Sequence, residues 1–265
     1  MRIKHWYKAL IVFSGPLFSK MLTTNIPSLI ATFFAFGFIA SSIYVINDLK
    51  DIQKDKLHPR KKNRPIASGK ISKTTAKFFT SILFLLAVFL GYLVNTYVLL
   101  LVLTYFVLML AYTYYIKTWA IFDAFIISLG FFIRALAGCL ALNIKITTWF
   151  YLIIIFVANY LAFCKRLTEI KVSKKGHKKN LKDYKQIIEI AISISGALAI
   201  TLYAIYAALT MPSLVWSVPF AFIGLLIHLK LTYQGKEVHE MIKDKQIYVA
   251  GILFLITLAL GLYFL

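Results

Sequence analysis

Apolar residues in this chain come in long unbroken runs, not at the three-to-four spacing of a surface helix. Eight runs, at about 27–47, 74–95, 97–116, 120–143, 147–165, 187–210, 213–232 and 246–264, each hold some 19 to 24 residues. A helix rises about 1.5 Å per residue and the hydrocarbon core of a bilayer is about 30 Å thick, so roughly 20 such residues cross it. Each run is therefore read as a membrane span. A shorter run from Ala9 to about Leu22 follows the basic, amphipathic segment Met1 to Lys8 and is interrupted by Gly15-Pro16. It begins like a signal peptide, but Ser19-Lys20-Met21-Leu22-Thr23 offers no small-residue cleavage site, so it is taken as a first span. The pattern predicts an all-α polytopic membrane protein of nine transmembrane helices, forming one transmembrane domain over residues 1–265.

Composition agrees, since a chain 60% hydrophobic and 16% aromatic with mean hydropathy +0.79 is not an ordinary soluble domain. Charge then gives sidedness. Short cytoplasmic loops collect Lys and Arg, and with the N-terminus inside, the segments 1–8, 48–77, 117–119, 164–185 and 230–245 hold 27 of the 30 basic residues. The net charge of +20 is thus expected on the cytoplasmic face of an inner membrane, against the lipid bilayer. Nucleic acid is a poor partner for charge held on loops beside a membrane. The two long loops, 48–73 and 166–186, are the ones large enough to cover a site. Cys139 and Cys164 lie inside apolar runs without metal spacing and read as small core residues. The sequence contains no GxGxxG, P-loop, zinc signature or nucleophile elbow.

The candidate chemistry begins at Asn47. Asp48, Asp51 and Asp55 are three of only ten acidic residues and fall at i, i+3 and i+7, so a continuous helix would carry all three on one face. Like charges so placed repel unless a cation sits among them. In one reading they pair locally, Asp51 with Lys54 and Asp55 with Lys56 or Arg60. In the other they hold Mg²⁺, which takes hard oxygen ligands and commonly shares one or two carboxylates with substrate phosphates. His58, Arg60, Lys61, Lys62 and Arg64 follow at once and supply partners for phosphate oxygens. The position at the membrane surface, the third aspartate and the proline-punctuated basic tail favour a magnesium-bound diphosphate.

Asn47-Asp48-x-x-Asp51-x-x-x-Asp55-Lys56-x-His58-Pro59, running into Asn63-Arg64-Pro65-Ile66-Ala67-Ser68-Gly69, resembles the first signature of the UbiA superfamily of intramembrane prenyltransferases. The resemblance implies a nine-helix UbiA-like bundle with a central cavity open to the cytoplasm and the bilayer. It also implies Mg²⁺ as cofactor and chemistry by departure of diphosphate. Tyr112-Thr113-x-x-Ile116-Lys117, Asp123, Gly130-Phe131-x-x-Arg134-Ala135-x-Ala137-Gly138 and Phe163-Cys164-Lys165-Arg166-x-x-Glu169 are similar to the branch typified by decaprenyl-phosphate phosphoribosyltransferase. In that branch the donor is phosphoribosyl pyrophosphate and the acceptor a polyprenyl phosphate. Arg2-x-x-x-Trp6-x-Lys8 echoes a further family motif, with Ile3 and Ala9 in place of its Pro and Asn.

Aromatic prenyltransferases of the superfamily carry a second aspartate-rich motif in the second long loop. Here that region reads Lys165-Arg166-Leu167-Thr168-Glu169 and continues to Lys182-Asp183-Tyr184, one glutamate and one aspartate among nine basic residues. A lysine-rich loop suits two phosphorylated substrates better than a phenol and one diphosphate. Charges inside a span cost about 2.5–3.5 kcal/mol on insertion scales, which singles out Asp123 and Arg134. Eleven residues apart, they share a helix face, with Arg134 about 16 Å deeper. They either line the substrate path or form structural ion pairs with neighbouring helices. His228 reads as a packed histidine, while Glu237, His239, Glu240 and Asp244 are candidates for the rim of the site.

Together these expectations assign Asn47, Asp48, Asp51 and Asp55 to the metal and Asp48, Asp51, Asp55 and Asp123 to catalysis. Asn47, His58, Lys61, Arg64, Tyr112, Lys117, Arg134, Lys165, Arg166, Glu169, Lys182 and Tyr184 are assigned to the substrates. The expected reaction moves a 5-phosphoribosyl group from phosphoribosyl pyrophosphate to a polyprenyl phosphate. The rival is transfer of an isoprenyl group from a prenyl diphosphate to an aromatic, quinone-type or other acceptor.

Overall fold

Long apolar runs leave the backbone no partner but itself, and helices result. The computed structural model describes residues 3–57, 61–119, 121–172, 185–236, 238–241 and 243–264. Among these, eight helices are long and apolar enough to cross a membrane, and they coincide with the eight long runs. The elements are α1 (Ser14–Phe18), α2 (Ile26–Lys50), α3 (Ile52–Lys56), α4 (Lys73–Val94), α5 (Thr96–Tyr114) and α6 (Phe122–Ala141). They continue with α7 (Thr148–Val172), α8 (Lys185–Thr210), α9 (Val218–Tyr233), α10 (Val238–Met241) and α11 (Lys245–Tyr263).

The ninth expected span is not among these eight. Residues Ile3–Phe13 form a 3₁₀ helix that passes into the five-residue α1, and Lys20 with φ 57° ends it. This segment is fastened to α2. Trp6 Nε1 donates to Ser41 Oγ at 3.0 Å, and the indole meets Phe33, Phe34 and Phe38 edge-on. Gly37 lies beneath the ring, where an added Cβ would come within 3.0 Å. Gly138, on α6, makes room for the same segment at another point: a Cβ there would stand 1.7 Å from the Val12 carbonyl oxygen.

The chain divides into two compact units, Met1–Ile116 with Ile133–Lys145, and Lys117–Phe132 with Ile146–Leu265. In the first, α2 packs along α4 and α5, burying Leu29, Phe36, Ile39 and Val102. Asn95 joins α4 to α5, accepting from Val98 N–H at 2.9 Å and donating to the Leu140 carbonyl at 2.9 Å. In the second, α7 packs along α8 around Tyr160, Phe163, Leu167, Ile188 and Ile192. Buried Ser128 and Asn159 satisfy each other at 2.7 Å, and Cys139 and Cys164 are free and buried. The half-buried His228 packs on Tyr160, in keeping with a packed histidine, with Nδ1 3.3 Å from the phenol oxygen.

Both units close a helix end with the same device. Lys50 Nζ donates to the Thr113 carbonyl at 2.6 Å and lies 4.5 Å from the Tyr114 ring, at the end of α5. Lys171 Nζ donates to the Tyr233 carbonyl at 2.7 Å and lies 4.3 Å from that ring, at the end of α9. A cation there satisfies orphan carbonyls and meets the negative end of the helix dipole. These two lysines of the basic face are therefore structural.

Candidate active site

The aspartate motif straddles a helix break instead of lying on one continuous helix. α2 ends at Lys50; Asp51 N–H still donates to the Asn47 carbonyl at 2.9 Å, and the Asp51 carbonyl starts α3 by accepting from Asp55 N–H at 2.8 Å. Asp51 has φ −92° and ψ 10°, near the bridge region, so the chain bends without reversing its helical sense. Asp48, before the bend, and Asp55, after it, still face a common partner.

Arg64 shows this directly. Its Nη1 donates to Asp48 Oδ1 at 3.0 Å and to Asp55 Oδ2 at 2.6 Å. Because one nitrogen bonds both, the two carboxylate oxygens can be no farther apart than those bonds laid end to end. The Asp55 side chain is 4% exposed and that of Arg64 27%. One cation among these carboxylates is thus an arginine nine residues downstream of Asp55. A compact turn delivers it: Arg64 N–H donates to the Lys61 carbonyl at 3.0 Å, Ser68 N–H to the Arg64 carbonyl at 2.8 Å, and Ile71 N–H to the Pro65 carbonyl at 3.1 Å. Gly69 closes the turn with φ +79°, a conformation that costs glycine little. The loop expected over 48–73 is thus substantially ordered where it is described.

The second unit has its own charged cluster. Arg166 Nη2 lies 2.8 Å from Asp123 Oδ2, with the two side chains only 6% and 2% exposed. Arg166 Nη1 also donates to Glu169, and Lys165 Nζ lies 3.9 Å from the same carboxylate. Asp123, in the first turn of α6, meets the favourable end of a helix dipole as well. Lys165, Arg166 and Glu169 sit on α7, which runs through Val172, and not on a loop starting at 166. Asp123 thus makes an ion pair with a neighbouring helix.

Arg134 takes a different partner. Its Nη2 donates to the Tyr105 hydroxyl at 2.6 Å, and its guanidinium carbon lies 4.5 Å from that ring. Both residues are buried, and Tyr105 stacks edge-on against Phe36 at 5.7 Å. Tyr112 is half-buried on α5, Lys117 half-buried in the short 3₁₀ helix Ile116–Thr118, and Lys61 exposed. His58, Lys182 and Tyr184, and the rim candidate Glu237, lie outside the described residues, as does the side chain of His239. Asp244 caps α11 by accepting from Gln246 N–H at 3.0 Å and pairs with Lys236 at 3.0 Å. That lysine's hydrogen bond holds the carboxyl below its ordinary value. Glu240 and Asp244 line a basic surface recess of about 530 Å³ with Lys230, Lys236, Lys243 and Lys245.

The profile of the UbiA prenyltransferase family matches residues 9–248. The chain belongs to that family. It is therefore a membrane transferase of the UbiA superfamily. It is 29% identical over 217 residues to the decaprenyl-phosphate phosphoribosyltransferase of Mycolicibacterium smegmatis, covering 78% of this chain and 68% of that one. To the enzyme of that name from Corynebacterium glutamicum it is 32% identical over 176 residues, 64% of this chain and 53% of that protein. A UbiA homolog from Archaeoglobus fulgidus solved bound to GPP and Mg²⁺ shares the fold at TM-score 0.73 and 16% identity, over 97% of this chain and 94% of that one.

UbiA homologue structures hold Mg²⁺, and the donor set here suits that ion. Asn47, Asp48 and Asp55 offer oxygen only, a positive charge already sits between two of them, and the buried Asn47 Oδ1 has no hydrogen-bond partner. Among the described residues no three His, Cys, Asp or Glu side chains form a ready metal cage. Magnesium commonly takes one or two carboxylates and completes its shell with substrate phosphates and water. Two residues escaped sequence reasoning. Lys50 was visible only as one more base within the motif, and Tyr105 gave no signal beyond the need of buried Arg134 for a partner.

Proposed function

We propose that this UbiA-family enzyme transfers a 5-phosphoribosyl group from phosphoribosyl pyrophosphate to a polyprenyl phosphate and releases pyrophosphate. The observation that carries the proposal is the similarity to two enzymes named decaprenyl-phosphate phosphoribosyltransferase. The second unit is in keeping with it, since α7 carries Arg166, paired with Asp123 and Glu169, with Lys165 beside it as a second cation for a phosphorylated substrate.

Asn47, Asp48, Asp51 and Asp55 would hold Mg²⁺, which supplies charge neutralisation for the departing diphosphate. Arg64 and Lys61 supply further cations for phosphate oxygens, and Lys117 does so on the other unit. Arg166 and Lys165 bind a phosphate on their own unit, and Asp123 acts through Arg166 by fixing its orientation. In the reaction the bond from ribose C1 to the pyrophosphate oxygen breaks, and the pyrophosphate leaves with the electron pair. The lipid phosphate oxygen donates the pair that forms the new bond. A phosphate monoester is largely ionised at neutral pH, its second pKa being about 6, so no strong base is required. Charge stabilisation and alignment remain for the protein to supply. The basic segments, and with them the aspartate motif, would face the cytoplasm.

Donor choice tests the proposal. Purified protein in nanodiscs with polyprenyl phosphate and Mg²⁺ should release pyrophosphate from phosphoribosyl pyrophosphate and not from a prenyl diphosphate. The opposite preference would assign it to isoprenyl transfer.

A further inference from the structure

Arg64 was expected on a phosphate, yet it sits on the carboxylates. One nitrogen there bonds two aspartates, one of them 4% exposed. A carboxylate that far from water is costly unless paired, and the pairing nitrogen belongs to a turn held by backbone hydrogen bonds at Lys61, Arg64 and Pro65. Meanwhile the neighbouring Asn47 Oδ1 is buried without a partner. The site is thus saturated with positive charge at Asp48 and Asp55 while one oxygen beside them stays unsatisfied.

We propose that Arg64 is an internal counter-cation, holding between Asp48 and Asp55 the charge position that a divalent ion and its diphosphate take over. The proposal rests on the magnesium-diphosphate reading of this motif. A metal ion arriving alone must displace Arg64 from both aspartates and leave a guanidinium stripped of its anions. A metal arriving with diphosphate brings the anion that Arg64 then needs. The exchange makes the two ligands cooperative, and linkage requires the cooperativity to be reciprocal. Free Mg²⁺ binds weakly and metal with diphosphate binds well, so the site does not fill with metal before a donor is present.

The test counts protein-bound Mn²⁺ after ultrafiltration of detergent-solubilised protein, with and without inorganic pyrophosphate, using Asp55→Asn in the same micelles as the background. In the wild type, pyrophosphate should raise the apparent Mn²⁺ affinity at least about tenfold, a coupling of about 1.4 kcal/mol. Arg64→Gln should bind Mn²⁺ alone about tenfold more tightly than the wild type and gain less from pyrophosphate; Arg64→Lys, which keeps a cation, should stay near the wild type without pyrophosphate. In Arg64→Gln, Mn²⁺ alone should also raise the melting temperature, because it now supplies the counter-charge. If the wild type takes Mn²⁺ with pyrophosphate but Arg64→Gln binds the ion alone no better, the counter-cation role is overturned and the metal site stands. If wild-type protein binds Mn²⁺ equally well with and without pyrophosphate, the role is overturned without recourse to any variant. If no Mn²⁺ is bound in either condition, the magnesium-diphosphate reading falls and the proposal with it.

Discussion

Asp123→Asn separates a residue that lines a substrate path from one that holds another residue in place. Asp123 and Arg166 meet at 2.8 Å with side chains 2% and 6% exposed. Removing one partner of a buried pair typically costs 3–5 kcal/mol, since a charge is left behind in a poor solvent. Here Arg166 keeps Glu169, which is 39% exposed and so a weaker anchor, and the expected loss is reduced to roughly 2–3 kcal/mol. For a chain of this size that corresponds to about 5–10 °C in melting temperature. The assay is thermal unfolding in detergent followed by fluorescence size exclusion. Asp123→Asn combined with Arg166→Met should lose less than the two single changes added together, because the second change removes the stranded charge. A melting temperature unchanged in Asp123→Asn, accompanied by a large fall in turnover, would refute the ion-pair assignment and return Asp123 to the substrate.

Further outcomes follow from the same contacts. Gly138→Ala places a Cβ 1.7 Å from the Val12 carbonyl oxygen, against an ordinary contact of 3.4 Å or more, and should lower the melting point by the largest margin among helix glycines. Overpacking of this kind costs about 1–3 kcal/mol and occasionally more, whereas Gly224→Ala, with nothing within 4 Å of its Cβ, should be neutral or slightly stabilising in the same melting assay. Asp55→Asn removes the more buried carboxylate from the Arg64 cluster and should reduce transferase turnover by about 10² or more, measured at saturating Mg²⁺. Asp244 has a carboxyl value lowered in the fold, so its stabilisation is complete above its ordinary value of 3.8 and is lost as pH falls through the lowered one. Asp244→Asn should therefore flatten the acid-side loss of stability below about pH 4 and leave the neutral range unaltered in shape, as read by melting across pH.

The spans were legible because a bilayer demands a length and a composition, and both are written in every apolar run. The first segment was harder to read: its apolar character suggested a span, while the structure gives a 3₁₀ helix passing through Gly15-Pro16 into a short α-helix that ends before the left-handed Lys20, with Trp6 fastening it to α2. The aspartate motif was legible as a charge anomaly, and so was the need for a cation among its members. That Arg64 is one such cation was not, because it reaches back across a turn whose geometry depends on Gly69 and on backbone hydrogen bonds that residue spacing does not reveal. Asp123 and Arg134 stood out as charges within a span, yet their shared periodicity concealed different partners, Arg166 on α7 and Tyr105 on α5. Helical spacing reports the face a residue occupies on its own element; it says nothing of what the neighbouring element brings to that face.

The most direct measurement follows the ribosyl carbon itself. Membranes or nanodiscs containing the protein are incubated with phosphoribosyl pyrophosphate labelled in the ribose, Mg²⁺ and a polyprenyl phosphate, and the lipid phase is extracted and weighed by mass spectrometry. Label should enter the lipid phase as a phosphoribosyl adduct of the polyprenyl phosphate, only with Mg²⁺ present and not with Asp55→Asn. Absence of label from the lipid, in a preparation that does transfer an isoprenyl group from a prenyl diphosphate, would contradict the proposed reaction.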